Sequence, residues 1–477
     1  MSNEYENPLI KRYASKDMSF FFSPQFKFQT WRSLWIKLAI AEKELGLPVS
    51  DKQIEELKQF ETQINFEDAA KKEKEVRHDV MAHVHAYGMQ CPSAAGIIHL
   101  GATSCYVGDN TDLIQMREGL LLVKKRLMMT LQKLSKFAME YKGMPTLGFT
   151  HYQPAQLTTV GKRACLWIQE LALDVEELDF VLESLRFRGV KGTTGTQASF
   201  LALFEGDHQK VQALDEKVTK ASGFSKKFTI TGQTYSRKVD SRVMAVLSSI
   251  SQSLAKMATD LRLLQNLKEV EEPFEKQQIG SSAMAYKRNP MRSERICSLS
   301  RFVQGLTSSV NFTASTQWFE RTLDDSANKR LAIPQAFLAI DAMLILSTNI
   351  ASGLVVYPNM IENHLMKELP FMATENILMA CVKRGGDRQA LHESIRVHSM
   401  EAGRRVKEEG AENDLLERIV KDSVFGLTKE AAAAIVNPQD FVGRSEELTE
   451  EFITNEIMPL LEKDKSWQEV GEEALKV

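Results

Sequence analysis

One loop of the sequence brings hydroxyl, amine and amide groups close together. Within Gly280–Arg295, Ser281 is followed six residues later by Lys287 and then by the step Asn289-Pro290. Pro suits the first position of a helix and Asn suits its cap, so the pattern predicts a loop that leads into a helix. The partial positive charge of a helix start predicts an anion site here, where Ser281 could act as a base or a nucleophile.

Basic side chains strengthen the prediction of an anion site, and one acid, Glu294, opposes them. The alternative is an ordinary surface loop with a solvated basic helix start. It is disfavoured because Met284 and Tyr286 interrupt the polar run, and a solvent loop seldom needs large side chains. The basic residues of the stretch are Lys287, Arg288, Arg292 and Arg295.

A histidine lies in a break between two predicted helices, in the sequence Thr150-His151 shortly before Pro154. Such a position suits a core residue poorly. Because imidazole titrates near neutral pH, His151 is a candidate general acid. The alternative is a histidine that bonds a carbonyl of the turn.

Arg321, Ser326 and Arg330 surround the predicted start of another helix. Two guanidinium groups and a helix N-terminus suit a phosphate group. The alternative is that these arginines form salt bridges with Asp324 and Asp325. Spacing alone does not decide between a phosphate site and salt bridges.

A third polar segment contains three histidines, beginning with Arg77-His78-Asp79. The spacing of the histidines differs from the i, i+4 pair of a zinc protease, and no Cys-rich partner lies nearby, so metal binding is disfavoured. We expect His83 and His85 to pack on a helix or face solvent. His78 is the stronger candidate for a site because charged residues flank it.

These segments fall at breaks between long helical patterns. Apolar residues between Leu113 and Phe137 alternate in spacings of three and four, which predicts a helix of roughly thirty residues, about 45 Å long. Other long helices are predicted at about 158–188, 236–270, from 290 onward and 325–353, without strand patterns between them. The sequence therefore predicts an all-α extended bundle with enough apolar surface to associate into an oligomer.

Helix lengths and composition predict three domains, at residues 1–103, 104–356 and 357–477. The polar breaks of an up-and-down bundle lie at both of its ends, where the loops of one chain are too far apart to share a site. A second chain packed antiparallel would bring opposite ends together. We therefore expect composite sites between subunits, on the loops.

Composition excludes several classes of protein. The chain has 477 residues, 43% hydrophobic and 26% charged, with a net charge of -3, so neither nucleic acid nor a membrane surface is expected as a partner. Met1–Ile10 lacks the apolar core of a secretory signal, and the apolar window Ala336–Val356 contains Asp341, which favours a buried helix. The 5 scattered cysteines fit a reducing compartment, which predicts a cytoplasmic protein.

Several segments together resemble the adenylosuccinate lyase family in its animal-type form, within the fumarase and aspartase superfamily. The superfamily signature Gly-Ser-Ser-x-Met-Pro-x-Lys-x-Asn-Pro is matched by residues 280–290, except that Ala285 replaces the usual Pro. Because Ala leaves the backbone freer than Pro, we expect a more mobile loop when the site is open. The resemblance covers nearly the whole chain, and its other segments are Arg77–His83, His99–Ser104, Thr150–Pro154, Thr231–Lys238 and Trp318–Ser326.

The resemblance implies an all-α homotetramer of three-domain subunits whose active sites are shared by three chains. It implies cleavage of adenylosuccinate to AMP and fumarate, and of the succinylated aminoimidazole carboxamide ribotide (SAICAR) to its amide (AICAR) and fumarate, without a metal or organic cofactor. Ser281 would be the general base and His151 the general acid, with Lys287 and Asn289 completing the loop. The implied substrate contacts are Arg12, Tyr13, Arg77, His78, Asp79, Thr103, Ser104, Gln233, Arg295, Arg321, Ser326 and Arg330.

Two alternatives belong to other functional classes. A sister lyase acting on argininosuccinate, aspartate or malate would have no nucleotide phosphate to bind, which leaves the arginines around Ser326 without a role. A catalytically inactive structural or binding protein could use the same scaffold. It is disfavoured because the implied base and acid, Ser281 and His151, are both present.

Overall fold

The protein is described by a computed structural model that covers residues 3–471 and 473–476. Its first part is a π-helical turn, Leu9–Tyr13, and a series of short and medium helices. Ser15, Ser23 and Ser50 cap helices by accepting backbone N–H groups of the first turn. The helix predicted from Arg32 begins earlier because Ser23 caps it. These helices are α1 Lys16–Phe21, α2 Pro24–Glu44, α3 Asp51–Gln59, α4 Phe66–Val76 and α5 Asp79–Gln90.

The middle of the chain forms a bundle of long helices, as predicted from the apolar spacing. The longest helix, α6, has 37 residues and therefore extends about 55 Å. α10 packs against α11, α11 against α12, and α6 against both α7 and α12. The helices of this part are α6 Ser104–Glu140, α7 Val160–Ser184, α8 Ala198–Leu203, α9 His208–Ala221, α10 Lys238–Asn266, α11 Met291–Thr316 and α12 Asp325–Gly353. The all-α prediction is confirmed.

A β-hairpin interrupts the bundle where the sequence predicted only a break. Strands β1 Pro145–Thr150 and β2 Gln153–Thr159 pair antiparallel, and residues 151 and 152 form the tight turn between them. Both turn residues have positive φ, 53° and 57°, as a two-residue hairpin turn requires. A second small pair joins β3 Val270–Glu271 to β4 Val355–Val356.

The last part of the chain is a group of shorter helices. Its buried side chains form a separate apolar cluster, to which Leu147 and Leu157 of the hairpin also belong. α18 packs back on α7, and Ile453 and Leu461 join the larger apolar cluster of the bundle. The predicted domain boundaries near residues 103 and 356 remain predictions. The helices are α13 Pro358–Met372, α14 Thr374–Lys383, α15 Arg388–Arg404, α16 Leu415–Lys421, α17 Lys429–Ile435, α18 Ser445–Phe452 and α19 Met458–Lys463, with π-helical turns Arg405–Glu409 and Ile453–Ile457 and 3-10 turns Pro438–Phe441 and Ser466–Glu469.

Among the described residues, α12 alone is long and apolar enough to cross a membrane. Of its most apolar window, 78% is buried inside the protein. Its Asp341 is fully buried and pairs with Arg126 of α6 at 2.7 Å. These contacts are those of a core helix in a bundle, which the sequence predicted for this window.

Candidate active site

A cavity of about 580 Å³ opens where the first turns of α5, α6 and α12 meet the segments around Gln233 and Arg321. The resemblance predicted many of its lining residues. Thr103 is adjacent as the cap residue of α6 but does not line the cavity. The predicted contacts that the structure brings together here are Arg77, His78, Asp79, Ser104, Gln233, Arg321, Ser326 and Arg330.

Local backbone geometry fixes the histidine of this cavity. Arg77 ends α4 in the left-handed conformation, with φ of 55°, and His78 then caps α5. The Nδ1 atom of His78 accepts the N–H of Met81 at 3.3 Å, so in the neutral ring the proton lies on Nε2. Nε2 is 3.2 Å from Oγ of Ser104, which can accept that proton in a hydrogen bond. The cap thus orients His78 toward the start of α6.

Of the salt bridges considered for Arg321 and Arg330, the one between Arg321 and Asp325 is present, and Arg330 pairs with another carboxylate. Nη1 of Arg321 donates to both carboxylate oxygens of Asp325, at 2.9 and 3.1 Å. Nη2 of Arg330 lies 3.3 Å from a carboxylate oxygen of Asp79. Asp324 accepts instead from the hydroxyl of Thr322 at 3.0 Å. Because each salt bridge uses only part of a guanidinium group, donors remain for an anionic ligand.

Sequence reasoning missed the charged floor of the cavity. Asp109 and Asp112 of α6 line it, and Lys329 contacts both carboxylates. Burial alone would lower the pKa of Lys329, but the carboxylates of Asp112, Asp109 and Asp240 together raise it above its usual value, so this amine stays charged. Two features of the sequence could have indicated these residues. Acids occur near the start of a buried helix, and a second cation, Lys329, stands beside Arg330.

Lys27 of α2 is another missed residue of the cavity wall. Its ammonium lies over the ring of Trp31, 5.0 Å from the ring centre. Burial lowers the pKa of Lys27, because the side chain has lost water that would stabilise its charge. Nothing in the local sequence marks this lysine, since only the packing of α2 brings it to the cavity.

A second group of predicted contacts lies in a separate small groove. Arg12 and Tyr13 come from the π-helical turn, and Arg295 comes from the first turns of α11. The guanidinium of Arg295 lies over the ring of Tyr13, 5.1 Å from its centre. Residues 473–476 form the other wall of the groove.

The signature loop is closed at its base and open at its tip. The side-chain amide of Asn289 donates to the carbonyl of Gly280 at 2.6 Å, which joins the two ends of the loop. Ser281 is half-buried, and its Oγ accepts the N–H of Met284 at 3.1 Å. Lys287 and Tyr286 are exposed. Within the described residues, none of these side chains lines the large cavity.

The prediction that the start of α11 is an anion site is wrong, because a carboxylate of the chain already occupies it. The helix begins at Met291, and the side chain of Asn289 does not cap it. Buried Glu272 accepts the N–H of Arg292 at 2.9 Å and that of Ser293 at 3.0 Å. Ser293 also donates its hydroxyl to Glu272 at 2.9 Å. The first backbone donors of α11 are therefore engaged, and a substrate anion must find other partners.

His151 lies at the tip of the hairpin, where its side chain is exposed. The alternative of a bond to a turn carbonyl is wrong, since no described residue is hydrogen-bonded to its ring. The hairpin holds the imidazole out from the bundle. In one chain, His151 and Ser281 thus stand apart from the cavity that collects the arginines.

Comparison with known proteins identifies the class of this helical chain. The family model described as "Lyase" matches residues 41–305, and the model of the adenylosuccinate lyase C-terminus matches residues 370–452. A fumarate lyase structure from Mesorhizobium sp. BNC1 has a TM-score of 0.77 at 21% identity, over 94% of this chain and 99% of that chain. The protein is an enzyme of the lyase class with the fold of the fumarase and aspartase superfamily.

Relatives that match along nearly their whole length identify the family within this class. The adenylosuccinate lyase of Saccharomyces cerevisiae is 57% identical over 95% of this chain and 95% of its own length. That of Schistosoma mansoni is 49% identical, over 97% of each chain. The chain belongs to the adenylosuccinate lyase family.

Proposed function

We propose that this enzyme eliminates fumarate from adenylosuccinate to give AMP, and from SAICAR to give AICAR, in purine nucleotide biosynthesis. The observation that carries the proposal is the cavity in which Arg321, Ser326 and Arg330 meet at the first turn of α12. Free guanidinium donors and a hydroxyl at a helix start suit the phosphate of a nucleotide. Substrates without a phosphate would leave this cluster unused.

Ser281 is proposed as the general base and His151 as the general acid. The base removes a proton from the carbon beside a carboxylate, and the electrons of that C–H bond form the double bond of fumarate. The C–N bond breaks, and His151 gives its proton to the departing nitrogen. The proposal is supported by the exposure of His151 on a rigid hairpin tip and by the closed base of the loop that carries Ser281.

The alkoxide of Ser281 needs a nearby positive charge. Each unit by which its pKa falls corresponds to about 1.36 kcal/mol of preferential stabilisation of the charged form. The start of α11 is capped by Glu272, Arg292 pairs with Glu275, and Arg288 pairs with Glu271 at 3.5 Å. Lys287 is therefore the remaining candidate on the loop. We propose that closure of the loop brings Lys287 to the alkoxide in a water-poor site.

A homotetramer with shared active sites is part of the proposal. It is supported by the separation of His151 and Ser281 from the cavity in one chain. It is also supported by an apolar stripe on α7, where Leu166, Leu173 and Phe180 recur at seven-residue spacing and are 44%, 56% and 62% exposed. Such a stripe is the packing seam of a helix that meets helices of other subunits.

We also propose a cytoplasmic location, with purine nucleotides and other copies of the chain as partners and with neither nucleic acid nor a membrane. The location is supported by the 5 cysteines, all of which are buried and unpaired by disulfides in the structure. Free thiols are typical of proteins in a reducing compartment.

A two-substrate assay tests the reaction. Purified enzyme should release fumarate from adenylosuccinate and from SAICAR, but not from argininosuccinate, with fumarate measured by its ultraviolet absorbance. The opposite selectivity, or binding of adenylosuccinate without release of fumarate, would refute the proposal.

Mixing of inactive variants tests the sharing of sites. Ser281→Ala and His151→Ala should each abolish turnover while the oligomer persists in size-exclusion chromatography. After subunit exchange, a mixture of the two variants should regain part of the activity, because some composite sites then contain both an intact Ser281 and an intact His151. A lack of recovery despite exchange of labelled subunits would exclude sharing.

A further inference from the structure

We propose that Asp325 and Arg237 are positioning residues that aim the guanidinium of Arg321 at the phosphate of the substrate. The inference rests on the proposed function and adds residues that make no contact with the ligand themselves. It concerns the buried ion network beneath the cavity.

Asp325 binds only one of the three nitrogen atoms of the Arg321 guanidinium group. Its carboxylate is fully buried at the first residue of α12 and accepts two bonds from Nη1 of Arg321, at 2.9 and 3.1 Å. Among the described residues, Nε and Nη2 of Arg321 have no acceptor. Since a guanidinium group is planar, fixing Nη1 also fixes the direction of its other donors. Those donors are left for a ligand in the cavity that Arg321 lines.

Arg237 fixes Asp325 in turn. Nε of Arg237 donates to Asp325 at 2.5 Å, while Nη1 and Nη2 donate to the carboxylate of Asp109 at 3.1 and 3.2 Å. The N–H of Tyr235 holds Asp109 at 2.9 Å. A turn of Arg237 away from this arrangement would remove one charged partner from each of two buried carboxylates, Asp109 and Asp325, which is unfavourable. The network therefore permits essentially one orientation of Asp325.

The backbone before Arg321 is fixed as well. The N–H of Gln233 donates to the carbonyl of Glu320 at 2.9 Å. Gly232 approaches the same residue so closely that an added Cβ would lie 2.5 Å from the Glu320 carbonyl oxygen. Both ends of the Arg321 side chain are thus restrained before a ligand arrives. A restrained side chain loses less freedom on binding, which favours affinity.

Inhibition by the two products separates positioning from a general structural role. AMP carries the phosphate and fumarate carries only carboxylates. In Asp325→Asn, the inhibition constant of AMP should rise by about tenfold, as expected when one charge-assisted contact is misaligned. The inhibition constant of fumarate should stay within twofold of the wild-type value.

A double-mutant cycle decides whether Asp325 acts through Arg321. If it does, adding Asp325→Asn to Arg321→Ala should leave the AMP constant within twofold of that of Arg321→Ala alone. Asp174→Asn is the matched control, because Asp174 is a buried carboxylate of α7 that accepts from the hydroxyl of Ser249 at 2.7 Å and contacts neither Arg237 nor Arg321. This control should keep wild-type constants for both products.

Additive losses in the cycle, or equal weakening of AMP and fumarate, would overturn the positioning role. If thermal unfolding shows that Asp325→Asn does not fold, Asp325→Glu replaces it in the same cycle, since it keeps the charge but shifts the carboxylate. A wild-type enzyme that releases no fumarate from adenylosuccinate refutes the proposed function and this inference together. An active wild-type enzyme with additive variants refutes the inference alone.

Discussion

Replacing Glu272 by Gln should loosen the start of α11 and the loop that leads into it. The carboxylate has two oxygens, one for the N–H of Arg292 and one for the N–H and hydroxyl of Ser293. Gln keeps one oxygen but puts an NH2 group where the other was, so one backbone donor faces another donor. Glu272 is only 4% exposed, so water cannot easily replace the lost acceptor.

The magnitude follows from the number of unpaired donors. One buried backbone N–H without an acceptor costs about 1–3 kcal/mol, and Glu272→Ala, which unpairs both, should cost about 2–6 kcal/mol. Local opening of the first turn of α11 is reported by hydrogen exchange of its amides. Exchange at Arg292 and Ser293 should speed up by roughly 5- to 150-fold in Glu272→Gln, because about 1.4 kcal/mol corresponds to a factor of ten.

Glu271→Gln is the matched control for this experiment. Its carboxylate accepts from the hydroxyl of Tyr357 at 2.9 Å and makes no bond to the first amides of α11. Exchange at Arg292 and Ser293 should therefore match the wild type in the control. If Glu272→Gln exchanged within twofold of the wild type, or if both variants exchanged equally fast, the capping role of Glu272 would be refuted.

Further predictions concern pH, assembly and the loop. The carboxyl group of Glu42 is fully buried and has no hydrogen-bond partner among the described residues. Burial raises its pKa to about 8. The neutral carboxyl group makes its full contribution to stability below its ordinary pKa of 4.5. That contribution is lost as the pH rises toward 8, because the buried group must then ionise. Glu42→Gln should therefore raise the melting temperature at pH 8 but not at pH 4. Leu173→Lys, in the exposed stripe of α7, should give smaller species in analytical ultracentrifugation and a loss of activity, whereas exposed Lys421→Ala should do neither. Ala285 is the second residue of the turn 284–287, a position that Pro favours, so Ala285→Pro should stabilise the loop by about 0.4–1 kcal/mol and slow its cleavage by a protease. Faster cleavage would show that the loop cannot accept Pro there.

The capping of α11 illustrates why local reasoning about a helix start can fail. A Pro step and basic neighbours favour an anion, and an anion is indeed bound there. It is Glu272, a residue outside the segment that sequence reasoning had considered. The partial positive charge of the helix start thus stabilises the fold by binding Glu272 and does not bind the substrate.

The sequence by itself determined the elements whose causes are local. The alternating apolar spacing of α6 produces a long helix because side chains three and four residues apart share one face. The helix start near Ser326 was also predicted from the sequence, at residue 325. The hairpin at 145–159 was missed, since its strands are short and stabilised by pairing with each other and by packing against α13.

The tertiary structure decided how the charged groups are distributed. Arg321 pairs with Asp325, and Asp325 is bound in turn by Arg237, which lies 88 residues from Asp325 in the chain. No spacing rule connects these residues. Lys27 became a cavity residue only through the packing of α2 against α6. The catalytic roles of His151 and Ser281 stay predictions, and neither residue lines the cavity that holds Arg321 and Arg330. The sequence determines the chemistry of each side chain, whereas long-range packing determines which side chains lie close together.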